Sequence, residues 1–80
     1  MTLSEAVRLR LKELLVQNNI SLYRLERIGG ISPNTTAGLM ATKHKSVNLK
    51  TVMQIVRALN MRARDFFDSP LFDSFDLDID

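Results

Sequence analysis

The sequence contains no cysteine, so it has neither a disulfide framework nor a thiolate metal site. Small secreted domains usually need such cross-links, which makes a reducing compartment such as the cytoplasm the expected location. No uninterrupted apolar run exceeds three residues, whereas a membrane-spanning helix needs about 20. The amphipathic N-terminal stretch MTLSEAVRLRLKELL lacks the basic start and apolar block of a secretory signal, so we expect all 80 residues to form the mature protein.

Catalytic and metal-binding patterns are also missing. His44 is the single histidine, and without a cysteine or a second histidine it predicts no metal site. No candidate nucleophile is paired with a recognisable base. We therefore expect neither a cofactor nor an enzymatic activity.

The charge of the chain is divided between a basic body and an acidic tail. Residues 1–67 hold all 11 basic residues against four acidic ones, a balance of +7, although the whole chain carries only +2. Residues 68–80 hold five aspartates and no basic residue, a balance of −5. Such asymmetry raises the expectation of a polyanionic partner for the basic part.

Local spacing patterns predict five helices in one small domain. Thr2 and Glu5 have the spacing of a capping box, and the apolar residues that follow repeat on one helical face. Ser21 and Ser32 are favoured N-caps, and Pro33 follows Ser32 at a position where its missing N–H costs nothing. The predicted helices cover about residues 3–18, 22–29, 33–41, 49–59 and 63–68.

Side-chain spacing also predicts which helix faces are buried. The fourth predicted helix has the strongest apolar stripe, formed by Leu49, Val52, Met53, Val56 and Leu59. On the first helix, the basic residues Arg8, Arg10 and Lys12 are expected on the exposed side. Near the C-terminus, core and closing-lid positions are predicted for Phe66, Phe67, Leu71 and Phe72, a patch through which a domain of this kind would also dimerise.

A C-terminal tail of residues 69–80 is predicted to follow a domain of residues 1–68. Pro70 cannot continue a helix, and from Phe75 onward apolar and acidic residues alternate. This alternation is compatible with an edge strand added to a partner, but a short terminal segment is more often frayed. We expect the tail to be disordered in the free protein.

Two stretches carry a family resemblance, ISLYRLERIGGIS at residues 20–32 and VNLKTVMQIVRALNMRARDFF at residues 47–67. Their order of short helix, glycine bend, serine-capped helix, basic loop and amphipathic helix resembles the DNA-binding domain of the Cro/C1-type (XRE) helix-turn-helix family. The resemblance covers about residues 3–68. It implies an all-α, five-helix, lambda-repressor-like fold. It also implies a small transcriptional regulator, a repressor or similar factor, that binds double-stranded DNA in the major groove as a homodimer.

The resemblance also implies which residues contact DNA. At the start of the second helix these are Ser21 and Tyr23, and at the N-terminal turn of the third, recognition helix they are Ser32 and Thr35. The positions facing base edges are Pro33, Asn34, Ala37 and Gly38. Lys43, His44 and Lys45 follow the recognition helix and are expected beside the phosphates. Only Asn34 among the base-facing residues has the bidentate pattern that reads adenine, while Thr36 and Ala37 offer methyl groups to thymine.

Two departures from the family pattern concern the packing of the second helix on the third. Glu26 stands where the family strongly prefers alanine, and Thr36 stands where valine, isoleucine or leucine is usual. Because burying a lone carboxylate is costly, we expect Glu26 to tilt outward or to pair with Arg24 or Arg27.

These departures also support an alternative function. The sparse base-facing row, Glu26 and the tail segment FDSFDLDID are what a protein-interaction module would show. Such a module, antitoxin-like or anti-repressor, would use the helix-turn-helix fold and dock a protein partner through its tail.

Overall fold

The computed structural model of the protein describes residues 1–41, 47–73 and 75–80. Within these ranges the chain forms five α-helices, α1 (Leu3–Gln17), α2 (Leu22–Gly29), α3 (Pro33–Met40), α4 (Leu49–Ala58) and α5 (Ala63–Phe67). A single 3₁₀ turn follows at Pro70–Phe72. The predicted all-α, five-helix architecture is therefore confirmed.

Side-chain caps explain where the helices begin. The Thr2 hydroxyl accepts a hydrogen bond from the Glu5 N–H at 3.1 Å, and the Glu5 carboxylate accepts one from the Thr2 N–H at 3.3 Å. Ser21, Ser32 and Asn48 cap α2, α3 and α4 in the same way. Each cap satisfies an N–H that has no partner within its own helix.

All five helices contribute to one core. Its buried apolar residues are Val7, Leu11 and Leu14 of α1, Leu25 of α2, Leu39 of α3, Val52, Ile55 and Val56 of α4 and Phe66 of α5, together with Ile31 between α2 and α3. The aromatic rings of Phe66, Phe67 and Phe72 pack on one another, with centroids 5.0–6.1 Å apart. Phe66 is fully buried, and Phe72 packs against the core as a lid.

The buried face of α4 differs from the predicted stripe. Leu49 and Met53 are exposed, whereas Ile55, which the prediction omitted, is fully buried between Val52 and Val56. Both sets of residues have helical spacing, so spacing alone does not distinguish them. The packing of α2 and α5 on α4 decides which set lies inside.

Two arginines of α1 also depart from the predicted exposed positions. Arg10 donates from Nε to the Phe66 carbonyl at 2.7 Å and from its second terminal nitrogen to the Asp65 carbonyl at 2.8 Å. Its side chain is only 12% exposed, and it satisfies carbonyls that the short α5 leaves without helical partners. Arg8 donates to the Ala41 carbonyl at 3.3 Å, which ties α1 to the end of α3. Lys12 is exposed as predicted.

The described part of the tail lies against the start of α1 and does not have the disorder that we expected. Asp78 forms an isolated parallel β-bridge with Thr2, in which the Leu3 N–H donates to the Asp78 carbonyl at 2.7 Å. The Asp80 carboxylate accepts from the Ser4 N–H at 3.1 Å. The tail is held here because the first N–H groups of a helix have no intrahelical acceptors. Partial desolvation is the largest single effect and raises the pKa of Asp80, but the hydrogen bonds from Ser4 and Thr2 and from its own backbone together outweigh it, so the pKa lies below its ordinary value.

Replacing Arg10 by methionine tests the connection between α1 and α5. We expect Arg10→Met to lower the free energy of unfolding by about 1.5 to 3 kcal/mol, because charged hydrogen bonds to two carbonyls are lost. Chemical denaturation followed by circular dichroism measures this change. The matched control is Lys12→Met on the same helix, which should change stability little, and equal effects of the two substitutions would contradict the assignment.

Candidate nucleic-acid interface

The turn between α2 and α3 depends on a glycine in the left-handed region. Gly30 has φ of +61°, and the Ile31 N–H that follows donates to the Glu26 carbonyl at 3.0 Å. A Cβ on the preceding Gly29 would lie 3.0 Å from the Cβ of Ala58, so the absence of a side chain lets α2 approach α4 closely. Buried Ile31 then anchors the chain immediately before α3.

α3 has one packed face and one open face. Thr36 and Leu39 are buried against the domain, while four residues at the start and centre of the helix are exposed, namely Pro33, Asn34, Thr35 and Ala37. Gly38 is half-buried. The structure thus brings the residues predicted for base edges onto the outward side of one short helix.

The two serines expected at the phosphates both act as helix caps. The Ser21 hydroxyl accepts from the Arg24 N–H at 3.1 Å, and the Ser32 hydroxyl accepts from the Asn34 N–H at 3.2 Å. Both residues are exposed, and each hydroxyl keeps its own proton for donation to an outside acceptor. The N-termini of α2 and α3 therefore present N–H groups, hydroxyls and the positive ends of the helix dipoles.

On the exposed side of α2, Tyr23 and Arg27 form a contact that was not predicted from the sequence. Tyr23 is 66% exposed, the Arg27 guanidinium lies 5.9 Å from the centre of its ring, and Arg27 donates to the Tyr23 hydroxyl at 3.3 Å. Together with Arg24 and Ile28, these residues line an open groove. The four-residue spacing between Tyr23 and Arg27 could have predicted this contact, because side chains at i and i+4 are neighbours on a helix.

Glu26 does not pair with either arginine. Its carboxylate instead accepts a hydrogen bond from the Thr36 hydroxyl, which also lies 3.1 Å from the Pro33 carbonyl. Thr36 is fully buried, so the expectation that its methyl group faces thymine is wrong. The two departures from the family pattern are thus in direct contact across the α2–α3 interface.

A cleft separates α3 from the start of α4. It is lined by Asn34, Thr35 and Gly38 on one side and by Val47, Asn48 and Thr51 on the other. The predicted phosphate contacts Lys43, His44 and Lys45 belong to the connection between the two helices and lie outside the described residues.

The basic residues of α2 and α4 keep their charge uncompensated within the described ranges. Salt bridges there join Arg10 to Glu13 and Arg64 to Asp65, and neither involves Arg24, Arg27 or Lys50. The described residues also form no group of three or more metal-binding side chains. Across the same ranges, no helix is both long enough and apolar enough to span a membrane.

Comparison with known proteins assigns the family. The Cro/C1-type helix-turn-helix (HTH) DNA-binding domain matches residues 10–70. The crystal structure of prophage Lp1 protein 11 is similar to this chain, with a TM-score of 0.84 and 26% sequence identity, over 92% of this chain and 97% of that one. No curated protein matches the sequence. The five helices, the glycine turn and the open face of α3 agree with the family match, and the chain belongs to the Cro/C1-type HTH DNA-binding domain family.

Proposed function

We propose that the protein is a small transcriptional regulator that acts in the cytoplasm and binds double-stranded DNA as a homodimer, with α3 in the major groove. The observation that carries this proposal is the open face of α3 from Pro33 to Ala37, whose opposite side is packed through Thr36 and Leu39. An α-helix with its side chains is about 10–12 Å across, which fits a major groove about 12 Å wide. In this arrangement α2 braces α3 from behind.

Base recognition in this arrangement is sparse. Asn34 is the one exposed side chain of α3 that pairs with adenine through two hydrogen bonds, a contact that distinguishes bases by about 1 to 3 kcal/mol. Ala37 offers a methyl group to thymine, and Gly38 lets the backbone approach closely. We therefore infer a preference for AT-rich sites in which DNA shape contributes to selection.

Phosphate contacts supply most of the affinity in this proposal. They come from Ser21 and Tyr23 at the start of α2, from Ser32 and Thr35 at the start of α3, and from the loop residues Lys43, His44 and Lys45. We add Arg27, because it packs on Tyr23 and has no acidic partner among the described residues. Such contacts position the protein on the duplex without reading its sequence.

Binding measurements with matched substitutions test this division of roles. We expect fluorescence anisotropy to show affinity for AT-rich duplexes that falls steeply with salt, because each neutralised phosphate releases counterions. Arg27→Ala should weaken binding to all sequences alike and reduce the salt slope by about 1. Asn34→Ala should instead relax the preference at one base step.

The control is Arg64→Ala, which removes an exposed arginine from α5 and should leave duplex affinity nearly unchanged. Binding by the natural protein that ignores salt would contradict the proposal. The assignment of Asn34 fails if Asn34→Ala weakens binding uniformly and leaves the sequence preference intact.

The dimer in this proposal forms through an apolar groove on α1. Leu9, Val16 and Leu71 line this groove. Val16 is 81% exposed in the single chain, so its apolar side chain is available to a second copy. We assign this surface to a second copy, since one patch that meets itself across a two-fold axis forms a closed dimer.

Introducing a charge into the apolar groove tests the dimer. We expect Val16→Glu to shift the protein from dimer to monomer, because the substitution places two carboxylates in one desolvated interface. Light scattering after size-exclusion chromatography reports the mass. Met53→Glu is the control, since it adds the same charge at an exposed apolar residue of α4 outside the groove. A natural protein that is monomeric at all concentrations would exclude this interface.

A protein-interaction function is the second candidate, and the tail supports it. Hydrogen bonds run from the described part of the tail to Met1, Leu3 and Ser4, and Phe75 and Ile79 remain exposed. Two exposed apolar side chains beside a β-bridge are suited to extending that pairing to a partner strand. None of these hydrogen bonds involves α2 or α3, so they leave the open face of α3 uncovered.

Removing residues 74–80 distinguishes the two functions. If DNA is the ligand, duplex affinity should hold or rise in the truncated protein, because the tail loses three of its five negative charges and the face of α3 is unchanged. Anisotropy titrations at two salt concentrations measure this effect, with circular dichroism as the check on folding. Loss of duplex binding in a truncated protein that remains folded would contradict the DNA-binding proposal.

A further inference from the structure

We propose that Glu26 and Thr36 form a positioning pair that orients α3 relative to α2 and thereby determines which base step Asn34 reaches. This inference rests on the proposed DNA-binding function. It concerns two residues that touch no DNA in that proposal and act through the helix that does.

The contact joins the middle of α2 to the first turn of α3. The Thr36 hydroxyl donates to the Glu26 carboxylate, and the Pro33 carbonyl lies 3.1 Å from the same hydroxyl oxygen. Because Thr36 has no exposed surface, water does not replace Glu26 as its partner. The pair is thus a polar link between two helices whose other buried residues, Leu25 and Leu39, are apolar.

The arginines that would compete for the carboxylate face elsewhere. Arg27 is directed to Tyr23, with its guanidinium over the ring, and Arg24 lines the same exposed groove. Neither forms a salt bridge with Glu26 among the described residues. A half-buried carboxylate that has no basic partner among the described residues depends on its hydroxyl donor for compensation.

A hydrogen bond constrains α3 differently from the alanine and aliphatic pair usual in the family. Apolar contacts are non-directional and tolerate rotation of one helix against the other. A hydrogen bond weakens steeply when its angle falls below about 120°, so it restricts rotation of α3 about its axis. Asn34 lies two residues before Thr36 on this eight-residue helix, and bidentate pairing with adenine requires a defined orientation.

A double-mutant cycle tests the pair in the full chain. We expect Thr36→Val to lower the folding equilibrium constant more than Glu26→Ala, because it leaves the carboxylate half-buried without a donor, whereas Glu26→Ala leaves the hydroxyl its Pro33 acceptor. The double variant should be more stable than the two single effects combined would predict. We expect this coupling to amount to about tenfold in the folding equilibrium constant. Denaturant titration measures all four proteins.

A second experiment distinguishes positioning of α3 from a purely structural role. The same four proteins are used to select bound duplexes from a pool, and the sequence preference of each is compared. The double variant Glu26→Ala/Thr36→Val should remain folded and keep its salt dependence, while its preference at the base step read by Asn34 changes by about tenfold. Glu26→Gln retains an acceptor oxygen for Thr36 and should preserve the natural preference. Asp65→Ala, which removes an exposed carboxylate from α5, is the matched control and should also preserve it.

The pairing is overturned if the two single substitutions change the folding equilibrium constant independently, so that the change in the double variant is the product of the two. An unchanged sequence preference in the folded double variant would overturn the positioning role. If the natural protein binds no duplex, the proposed function and the positioning role fail together. The double-mutant cycle measured by unfolding still tests the contact between Glu26 and Thr36. The failure of the inference is therefore distinguishable from the failure of the function.

Discussion

The packing of α2 against α3 is the constraint on which the rest of this structure depends. α3 buries only Thr36 and Leu39, so a helix of eight residues has little apolar surface with which to hold its own position. Its placement comes from the left-handed turn at Gly30, from buried Ile31 and from the hydrogen bond between Thr36 and Glu26. At the other end of the helix, Arg8 of α1 holds the Ala41 carbonyl, and together these links give the exposed face of α3 the defined orientation that a rigid reading surface requires.

Polar links at helix ends compensate for the small size of the core. A short chain buries a smaller fraction of its surface than a large one, so the unsatisfied groups at each helix end weigh more in its stability. Arg10 satisfies the last carbonyls of α5, Arg8 reaches the end of α3, and Asp80 accepts from the first turn of α1. These links each join an element to a part of the chain distant in sequence.

Exposed basic residues lie on four of the five helices, whereas the described part of the acidic tail is attached at the start of α1. The open faces of α2 and α3 carry hydroxyls, N–H groups and uncompensated arginines, which suit a polyanion. The apolar groove of α1 suits a second copy, and the acidic tail is attached near the start of the same helix. The described hydrogen bonds of Asp78 and Asp80 reach Met1, Leu3 and Ser4, and the residues of α3 from 33 to 35 are exposed.

The sequence by itself determined the helices, their caps and the order of elements, because capping, glycine turns and helical periodicity involve residues only a few positions apart. It also indicated that Pro33, Asn34 and Ala37 of α3 face outward, although it wrongly turned the Thr36 methyl group toward DNA. Tertiary structure alone decided the partner of Glu26, the buried face of α4, the role of Arg10 and the attachment of the tail. Each of those outcomes depends on a group distant in the chain, and where such groups meet is set by the packing of whole helices, which local spacing does not specify.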